Sequence, residues 1–373
     1  MAAVKKLTIT GYKSIRELRD FELRNLNVLI GANGAGKSNF ISFFRMLAEI
    51  VGKRFQLFVA VQGGPDALLH FSRRTTSEIR AKFHGEEDSY YFTLVPTNDN
   101  RLILEDEGLF NGGDSQNADH GAIDVDVDIV GRGEHFSEPH AESKFEKTGG
   151  RYTSSVRLGM DRWRVYHFHD TGESAKVKQQ HAPFDTLRLQ VDGGNLAAYL
   201  GLLRASYPDN YRMIVETIGL VAPFFDDFVP ARDGSKLVQL EWLEKGKPDV
   251  VFNAHALSDG TLRFICLSTL LLQPWDLIPD TILIDEPELG LHPYAIVILA
   301  DLLKRAAERK QVIVSTQSVE LMNLMEPEDI VVVDREDGAS TFHRLDAERL
   351  KGWLEDYSLG ELWNQNVLGG RPS

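Results

Sequence analysis

The chain has almost no cysteine: Cys266 is the single one in 373 residues. An internal disulfide is therefore excluded and a reducing compartment is permitted, while the apolar run around Cys266 marks it as a packing residue. Long hydrophobic runs are missing as well. No apolar stretch reaches the ~18 residues that a membrane-spanning helix needs. The residues after Met1 lack the basic and apolar pattern of a leader. The expected location is the cytoplasm, with no membrane partner. Positive charge is in deficit, since 41 Lys and Arg against 55 Asp and Glu leave a formal net charge of −14. That excludes the broad positive field that makes nucleic acid the obvious partner. A local basic groove formed on dimerisation leaves DNA open. Internal repeats, low-complexity tails and heptad runs long enough for a coiled-coil arm are also lacking.

What is present is an ordinary globular composition, 43% hydrophobic and 26% charged, in a chain long enough for one large or two moderate domains. The rest of the chain is organised around Gly31-Ala32-Asn33-Gly34-Ala35-Gly36-Lys37-Ser38, which fits G-x-x-x-x-G-K-[ST] at every fixed position. The apolar run Leu26 to Ile30 predicts a short buried strand before it. Phe40, Phe43, Phe44, Leu47, Ile50 and Val51 recur at helical spacing after it. Strand, glycine loop and helix is the order the motif requires. The glycines let backbone N–H groups turn inward around a polyphosphate, and the helix start adds partial positive charge. Lys37 is expected on the β- and γ-phosphates and Ser38 on Mg²⁺. Asn33, Gly34, Ala35, Gly36 and Asn39 complete the expected cradle for ATP.

A second motif lies far downstream. Thr281 to Ile284 is an apolar strand that delivers Asp285, Glu286 and Pro287 at its end. Adjacent strand residues face opposite ways, so the two acids are expected to divide the work. Asp285 would bind Mg²⁺ and Glu286 would reach the water that attacks the γ-phosphate. Gln311 to Thr316 predicts the next buried strand, with Gln317 at its C-terminal end, where parallel sheets expose ligand contacts. Between the two motifs, Leu257-Ser258-Asp259-Gly260-Thr261 precedes an apolar stretch long enough for a buried helix. Ser258 would cap it, and the Ser258 hydroxyl and the Gly260 amide make a second anion site, with Asp259 between them also expected beside the nucleotide.

The remaining chain divides by pattern. Lys6 to Thr10 alternates as a strand, and Gly11 to Ile15 follows as its turn. Ser77 to Val130 reads as an antiparallel meander, with Glu105 to Glu142 as acidic exposed loops. Within them Ile123, Val125, Val127 and Ile129 alternate with Asp124, Asp126 and Asp128, a charged strand face that discourages edge pairing rather than a cation site. Arg164 to Phe168 is a further strand. His167, His169 and Asp170 beside it are too few for a recognisable metal site. Helical stripes follow at Leu196, Tyr199, Leu200 and Leu203 behind Asn195 as N-cap, and at Tyr211, Ile214, Val215 and Ile218 after Pro208. Strand segments return from Phe228 to Phe252, and Leu350, Trp353, Leu354, Leu359 and Trp363 mark C-terminal packing helices. The division expected is 1–60 and 254–373 as two parts of one core, 61–190 as a β lobe and 191–253 as a helical subdomain.

With these elements in order, the chain resembles the ABC-type ATPase heads of the SMC, RecF and overcoming-lysogenisation-defect families, and is most similar in layout to RecF-like bacterial ATPases. The resemblance covers roughly residues 1–51 and 254–334. It implies an α/β P-loop NTPase fold with an ABC-ATPase-type core, an inserted antiparallel β lobe and a helical subdomain. By it Leu257 to Thr261 is the signature motif, acting on ATP held by a second copy, so the implied active form is a homodimer with ATP in its interface. Lys13, with Tyr12 and Ser14, is similar to an aromatic-Lys-Ser segment near the nucleotide in SMC heads. The switch position holds Gln317 instead of histidine. Glutamine can donate a hydrogen bond to the γ-phosphate but cannot take up a proton near neutral pH, so hydrolysis is expected to lean on Glu286 and can be slow. The Q-loop role is open among Gln62, His169, Asp170, Gln179 and Gln180. No Toprim nuclease is expected after the acidic strand. An effector nuclease or toxin from a neighbouring gene, held or released according to nucleotide state, is an alternative output, as is a DNA-repair clamp; a membrane-transporter ATPase fits least.

Overall fold

The computed structural model describes residues 4–85, 88–111, 132–136, 138–144, 163–231 and 234–370. The chain opens with β1 (Lys6–Tyr12) and β2 (Ile15–Glu22), an antiparallel hairpin turned at Lys13 and Ser14. Then come β3 (Leu26–Ile30), the phosphate loop, α1 (Lys37–Val51) and α2 (Phe55–Val61). The meander follows as β4 (Ile79–His84), β5 (Asp88–Pro96), β6 (Leu102–Asn111) and β7 (Arg132–Phe136). It joins the opening hairpin in a six-stranded antiparallel sheet of order β2-β1-β4-β5-β6-β7.

β8 (Trp163–Tyr166) leaves that sheet. After it lie α3 (Leu196–Ser206), α4 (Pro208–Val221) and a three-stranded sheet of β9 (Phe225–Phe228), β10 (Glu241–Glu244) and β11 (Lys247–Asn253). The last third runs α5 (Asp259–Leu272), β12 (Thr281–Asp285), α6 (Pro293–Ala307), β13 (Gln311–Ser315), α7 (Val319–Met322), β14 (Ile330–Glu336), β15 (Ala339–Arg344), α8 (Ala347–Leu354) and α9 (Leu359–Asn364). Its strands, with β3 and β8 from earlier in the chain, build the sheet that bears the site, in the order β15-β14-β3-β13-β12-β8. All of them are parallel except β15, which runs antiparallel on β14.

A parallel sheet covered on both faces needs continuous apolar strands, and the pleat then sorts their residues between two cores. On β12, Ile282 and Ile284 join one core and Leu283 the other; on β13, Val312 and Val314 part from Ile313 in the same way. The first core takes in Leu262 and Ile265 of α5 and Leu299 and Leu303 of α6. The second holds α1 and the antiparallel sheet. α1 is thereby gripped from two sides. Phe44 packs 5.2 Å from Trp163 of β8, while Phe43 lies 5.2 Å from Tyr12 of β1 and 6.1 Å from Phe83 of β4. Such ring pairs add ~0.5–1.5 kcal/mol each beyond the area they bury. A helix with rings on both flanks cannot roll, so its N-terminus keeps the phosphate loop in a fixed attitude to both sheets.

The sheets divide the chain differently from the expected boundaries. β1 and β2, placed by sequence with the core, belong to the antiparallel sheet, and β8, placed with the β lobe, is the edge of the parallel one. Hydrogen bonding across strands distant in sequence decides this, and local pattern carries no trace of it. The acidic stretch from Glu105 is also not loop at its start. It continues β6 to Asn111, because Leu102, Leu104 and Leu109 bury their side chains despite the intervening acids. The run Ile123 to Ile129, with Asp124, Asp126 and Asp128, lies outside the described residues. Among the described residues no helix is long and apolar enough to cross a membrane.

Candidate nucleotide-binding site

At the end of β3 the chain turns through Gly31, whose φ is 153° and where a Cβ would come within 2.1 Å of the Val333 carbonyl of β14. Gly36, just before α1, has φ 119°, and a Cβ there would lie 2.0 Å from the Ser340 hydroxyl and 2.7 Å from that of Ser14. Only glycine meets both conditions. No side chain caps α1, so its first-turn N–H groups face outward at the positive end of the helix, as an anion site requires. Lys37 is buried, and its Nζ donates to the carbonyls of Gly31 at 2.6 Å and Ala32 at 3.1 Å. Burial depresses its pKa, and the carboxylates of Glu286, Asp285 and Glu288 oppose that shift. Asn33, Gly34 and Ser38 are exposed, Ala35 is buried, and Asn39 donates to the Ser14 hydroxyl at 2.7 Å.

Three distant residues brace the loop, and single-sequence reading missed all of them because nothing local marks them. The Ala32 amide donates to the Gly370 carbonyl at 2.7 Å, the Ser340 hydroxyl donates to the Ala35 carbonyl at 2.5 Å, and Arg335 reaches the Gly34 carbonyl at 3.4 Å. Lys13 sits in a left-handed turn with φ 46°, and its Nζ donates to the Ser42 hydroxyl of α1 at 2.7 Å. Burial, with Arg45 nearby, lowers its pKa.

Two strands away, Asp285 ends β12, and its carboxylate accepts from the Ser315 hydroxyl of β13. Glu286 then leaves the strand at φ 43°, with its N–H on the Ser315 carbonyl at 2.8 Å. The pleat alternation expected to part the two acids is therefore not the cause. The left-handed turn parts them, a conformation that costs a non-glycine residue ~1–3 kcal/mol and that clusters at functional sites. Gln317 Nε2 donates to Glu286 Oε1 at 2.6 Å. The strand order β3-β13-β12 thus sets the phosphate loop, Gln317 and the two acids side by side at the C-terminal edge of the sheet.

The candidates for the Q-loop part company here. β8 runs parallel beside β12 and delivers His169 to the same edge, where its Nε2 hydrogen-bonds the Asp285 carbonyl at 2.7 Å. Gln62 instead lies 3.5 Å from Lys13 Nζ, Gln179 donates to the Glu173 carbonyl at 2.9 Å, and Gln180 is exposed. His167 contacts Arg45 at 2.9 Å, and Asp170 accepts from the Gly172 amide at 3.3 Å. Among the described residues no group of three or more His, Cys, Asp and Glu is placed to hold a metal. Any divalent ion at this edge would rest on single carboxylate and hydroxyl oxygens together with its ligand, a donor set that suits Mg²⁺.

Ser258 is the N-cap of α5, its hydroxyl accepting from the Thr261 amide at 3.2 Å. Asp259 is exposed, 3.7 Å from the buried Lys178 ammonium. Gly260 packs against the loop after the acids, since a Cβ on it would meet the Gly290 carbonyl at 2.3 Å. Among the described residues no hydrogen bond or ion pair joins Ser258, Asp259 or Gly260 to the phosphate loop of the same chain. Arg263, one turn into α5 and 6% exposed, was hidden in sequence by the apolar run around it. Its Nε donates to the Phe168 carbonyl at 3.0 Å, NH2 to that of His169 at 3.1 Å, and NH1 to that of Leu289. One guanidinium therefore ties the capped helix to the exit of β8 and to the loop after the acids. Cys266 is the packing residue expected, with burial pushing its thiol up to about 12.

Residues 26–148 and 152–323 match the family described as "AAA domain, putative AbiEii toxin, Type IV TA system". The fold is similar to that in the "Crystal structure of the SmcHead bound to the C-winged helix domain of ScpA", at 14% identity and a TM-score of 0.59, covering 94% of this chain and 99% of that one. It is also similar to an Smc head domain with an extended coiled coil bound to the C-terminal domain of ScpA, from Pyrococcus furiosus. That match has 14% identity and a TM-score of 0.54, covering 95% and 98% of the two chains. No curated protein matches the chain. At this identity the likeness speaks for the fold, a P-loop NTPase with an ABC-type core.

Proposed function

The chain belongs to this AAA-domain family, and on that premise we propose that it is a RecF-like ABC-type ATPase that closes as a homodimer around ATP and reopens on hydrolysis. One observation carries the reading: the buried Lys37 of an uncapped glycine loop after β3 lies where the Glu286 and Asp285 carboxylates at the end of β12 act on it, with only β13 between the two parallel strands. Lys37 and the first-turn amides of α1 bind the β- and γ-phosphates, with Asn33 to Gly36 and Asn39 shaping the cradle and Lys13 flanking it. Ser38 and Asp285 would hold Mg²⁺, which when bound neutralises charge on the phosphates. Glu286 orients water at the γ-phosphate and takes its proton on Oε2, since Oε1 is engaged by the Gln317 amide. Ser258 and Asp259 are exposed at a capped helix start that, with the half-buried Gly260, makes no hydrogen bond or ion pair to its own chain's phosphate loop among the described residues, and this supports their acting on the ATP of a second copy.

The test is Glu286→Gln, which keeps the shape and the contact with Gln317 but removes the base. Turnover should fall by roughly 10²–10⁴-fold while ATP binding persists and ATP-dependent dimers accumulate in light scattering. A purified protein that fails to bind ATP, or turns it over equally well with this substitution, sinks the reading. The Gln317 contact favours a second one. An amide that neither takes up nor releases a proton near neutral pH holds one oxygen of the proposed base, so hydrolysis can be slow enough for the ATP-bound dimer itself to be the signal, gating an effector nuclease or toxin encoded nearby. Near-zero single turnover with tight ATP-dependent dimers would select it. The net charge of −14 counts against a DNA clamp.

A further inference from the structure

Glu288 adds to the negative charge facing Lys37 but has no step in the scheme above, and its setting is costly. From the loop after the acids its Oε1 accepts from the Thr316 hydroxyl at 2.5 Å and from the Gln317 backbone N–H at 3.4 Å. Its Oε2 is shielded from solvent and has no hydrogen-bond partner among the described residues. Burial raises its pKa, the hydrogen bond from Thr316 works against the shift, and the charge of Glu286 adds to it. Leaving one carboxyl oxygen buried and unpaired is unfavourable, so packing alone does not account for an acid here.

Resting on the ATPase reading, we propose that Glu288 is a positioning residue for hydrolysis, holding the Thr316–Gln317 segment so that the Gln317 amide stays on Glu286. Gln317 is exposed, so burial does not fix its long side chain. Its 2.6 Å contact with Glu286 is defined only if the backbone beneath it is held. Thr316 is fully buried at the end of β13, and Glu288 is the group that grips both its hydroxyl and the next amide. The loop is pinned on its other side, where Arg263 of α5 donates to the Leu289 carbonyl. A displacement of the helix that begins at Ser258 therefore reaches Gln317 through Leu289 and Glu288, within one chain.

The experiment measures ATP turnover and the affinity of a fluorescent ATP analogue for the full chain carrying Glu288→Ala, Glu288→Gln, Thr316→Val, Gln317→Ala, and Glu288→Ala with Gln317→Ala. Glu288→Ala should slow turnover by roughly 10- to 100-fold with nucleotide affinity within about threefold, as misplacement of a catalytic contact does. Glu288→Gln keeps an oxygen that accepts the same two donors and should retain most of the rate. Thr316→Val, which removes a donor from the opposite side, should slow turnover as well and keeps the test open if the alanine variant does not fold. The double variant should be no slower than Gln317→Ala alone, because both act through one contact. Additive losses, a Glu288→Gln chain as slow as the Glu288→Ala chain, an unaffected Thr316→Val, or nucleotide affinity lost in step with turnover would each overturn the proposal. An unsubstituted chain without turnover would bring down the ATPase reading and this one together; an active chain with additive losses removes this one alone.

Discussion

Replacing Arg263 probes the junction on which the site is assembled. Its guanidinium is buried and gives three hydrogen bonds to backbone carbonyls, at 3.0 Å to Phe168, at 3.1 Å to His169, and to Leu289. Hydrogen bonds from a charged donor contribute about 1.5–3 kcal/mol each, so their plain sum would be about 4.5–9 kcal/mol. The sum overstates the loss, because keeping the cation out of water costs several kcal/mol that any neutral replacement recovers. Burial already lowers the pKa of Arg263, with Asp259 opposing the shift. What remains is the desolvation of three carbonyls stripped of their donor, partly relieved by water entering the space of the side chain. Arg263→Ala should therefore destabilise the protein by about 2–4 kcal/mol, and Arg263→Met, which fills the space and admits less water, by at least as much. Arg263→Lys should fall between, since one ammonium cannot span three carbonyls in a fork. Urea unfolding followed by tryptophan fluorescence gives these differences from the midpoints. A loss under about 1 kcal/mol for Arg263→Met would refute the reasoning, because it would mean that the three carbonyls need no donor.

Two further outcomes follow from the geometry. Gly36→Ala forces a Cβ to within 2.0 Å of the Ser340 hydroxyl at a φ of 119°. It should weaken ATP binding by at least about tenfold, equivalent to ~1.4 kcal/mol, while the circular dichroism spectrum is unchanged; titration calorimetry decides. In the β lobe, His140 Nε2 lies 3.0 Å from a carboxylate oxygen of the fully buried Glu107. Burial is the largest single influence and pulls the His140 pKa down, but the hydrogen bonds to the Glu107 carboxylate and the Glu138 carbonyl, together with the Glu107 charge, outweigh it and leave the pKa above the ordinary 6.5. The stabilisation is then fully present below about pH 6.5 and lost as the pH rises through the folded value. Urea midpoints of the unsubstituted chain and of His140→Gln should differ most below about pH 6.5 and converge as the pH is raised above it; a constant gap would rule the pair out as the source.

The phosphate loop, the acidic strand and the capped helix at Ser258 were legible because each is local. A glycine spacing, an apolar run of strand length and a hydroxyl before a helix are demands that neighbouring residues satisfy among themselves. The parallel strands were legible for a related reason, since burial on both faces makes each one apolar throughout. What no stretch of sequence contained was who lies beside whom. Strand order brought Gln317 between the cradle and the acids, moved β1 and β2 to the other sheet and β8 into this one, and set His169 against Asp285. A left-handed backbone at Glu286, not the pleat, parted the two acids. Arg263, Glu288 and Ser340 took their roles only from contacts across the fold, because a hydrogen bond depends on distance in space and separation along the chain says nothing of it.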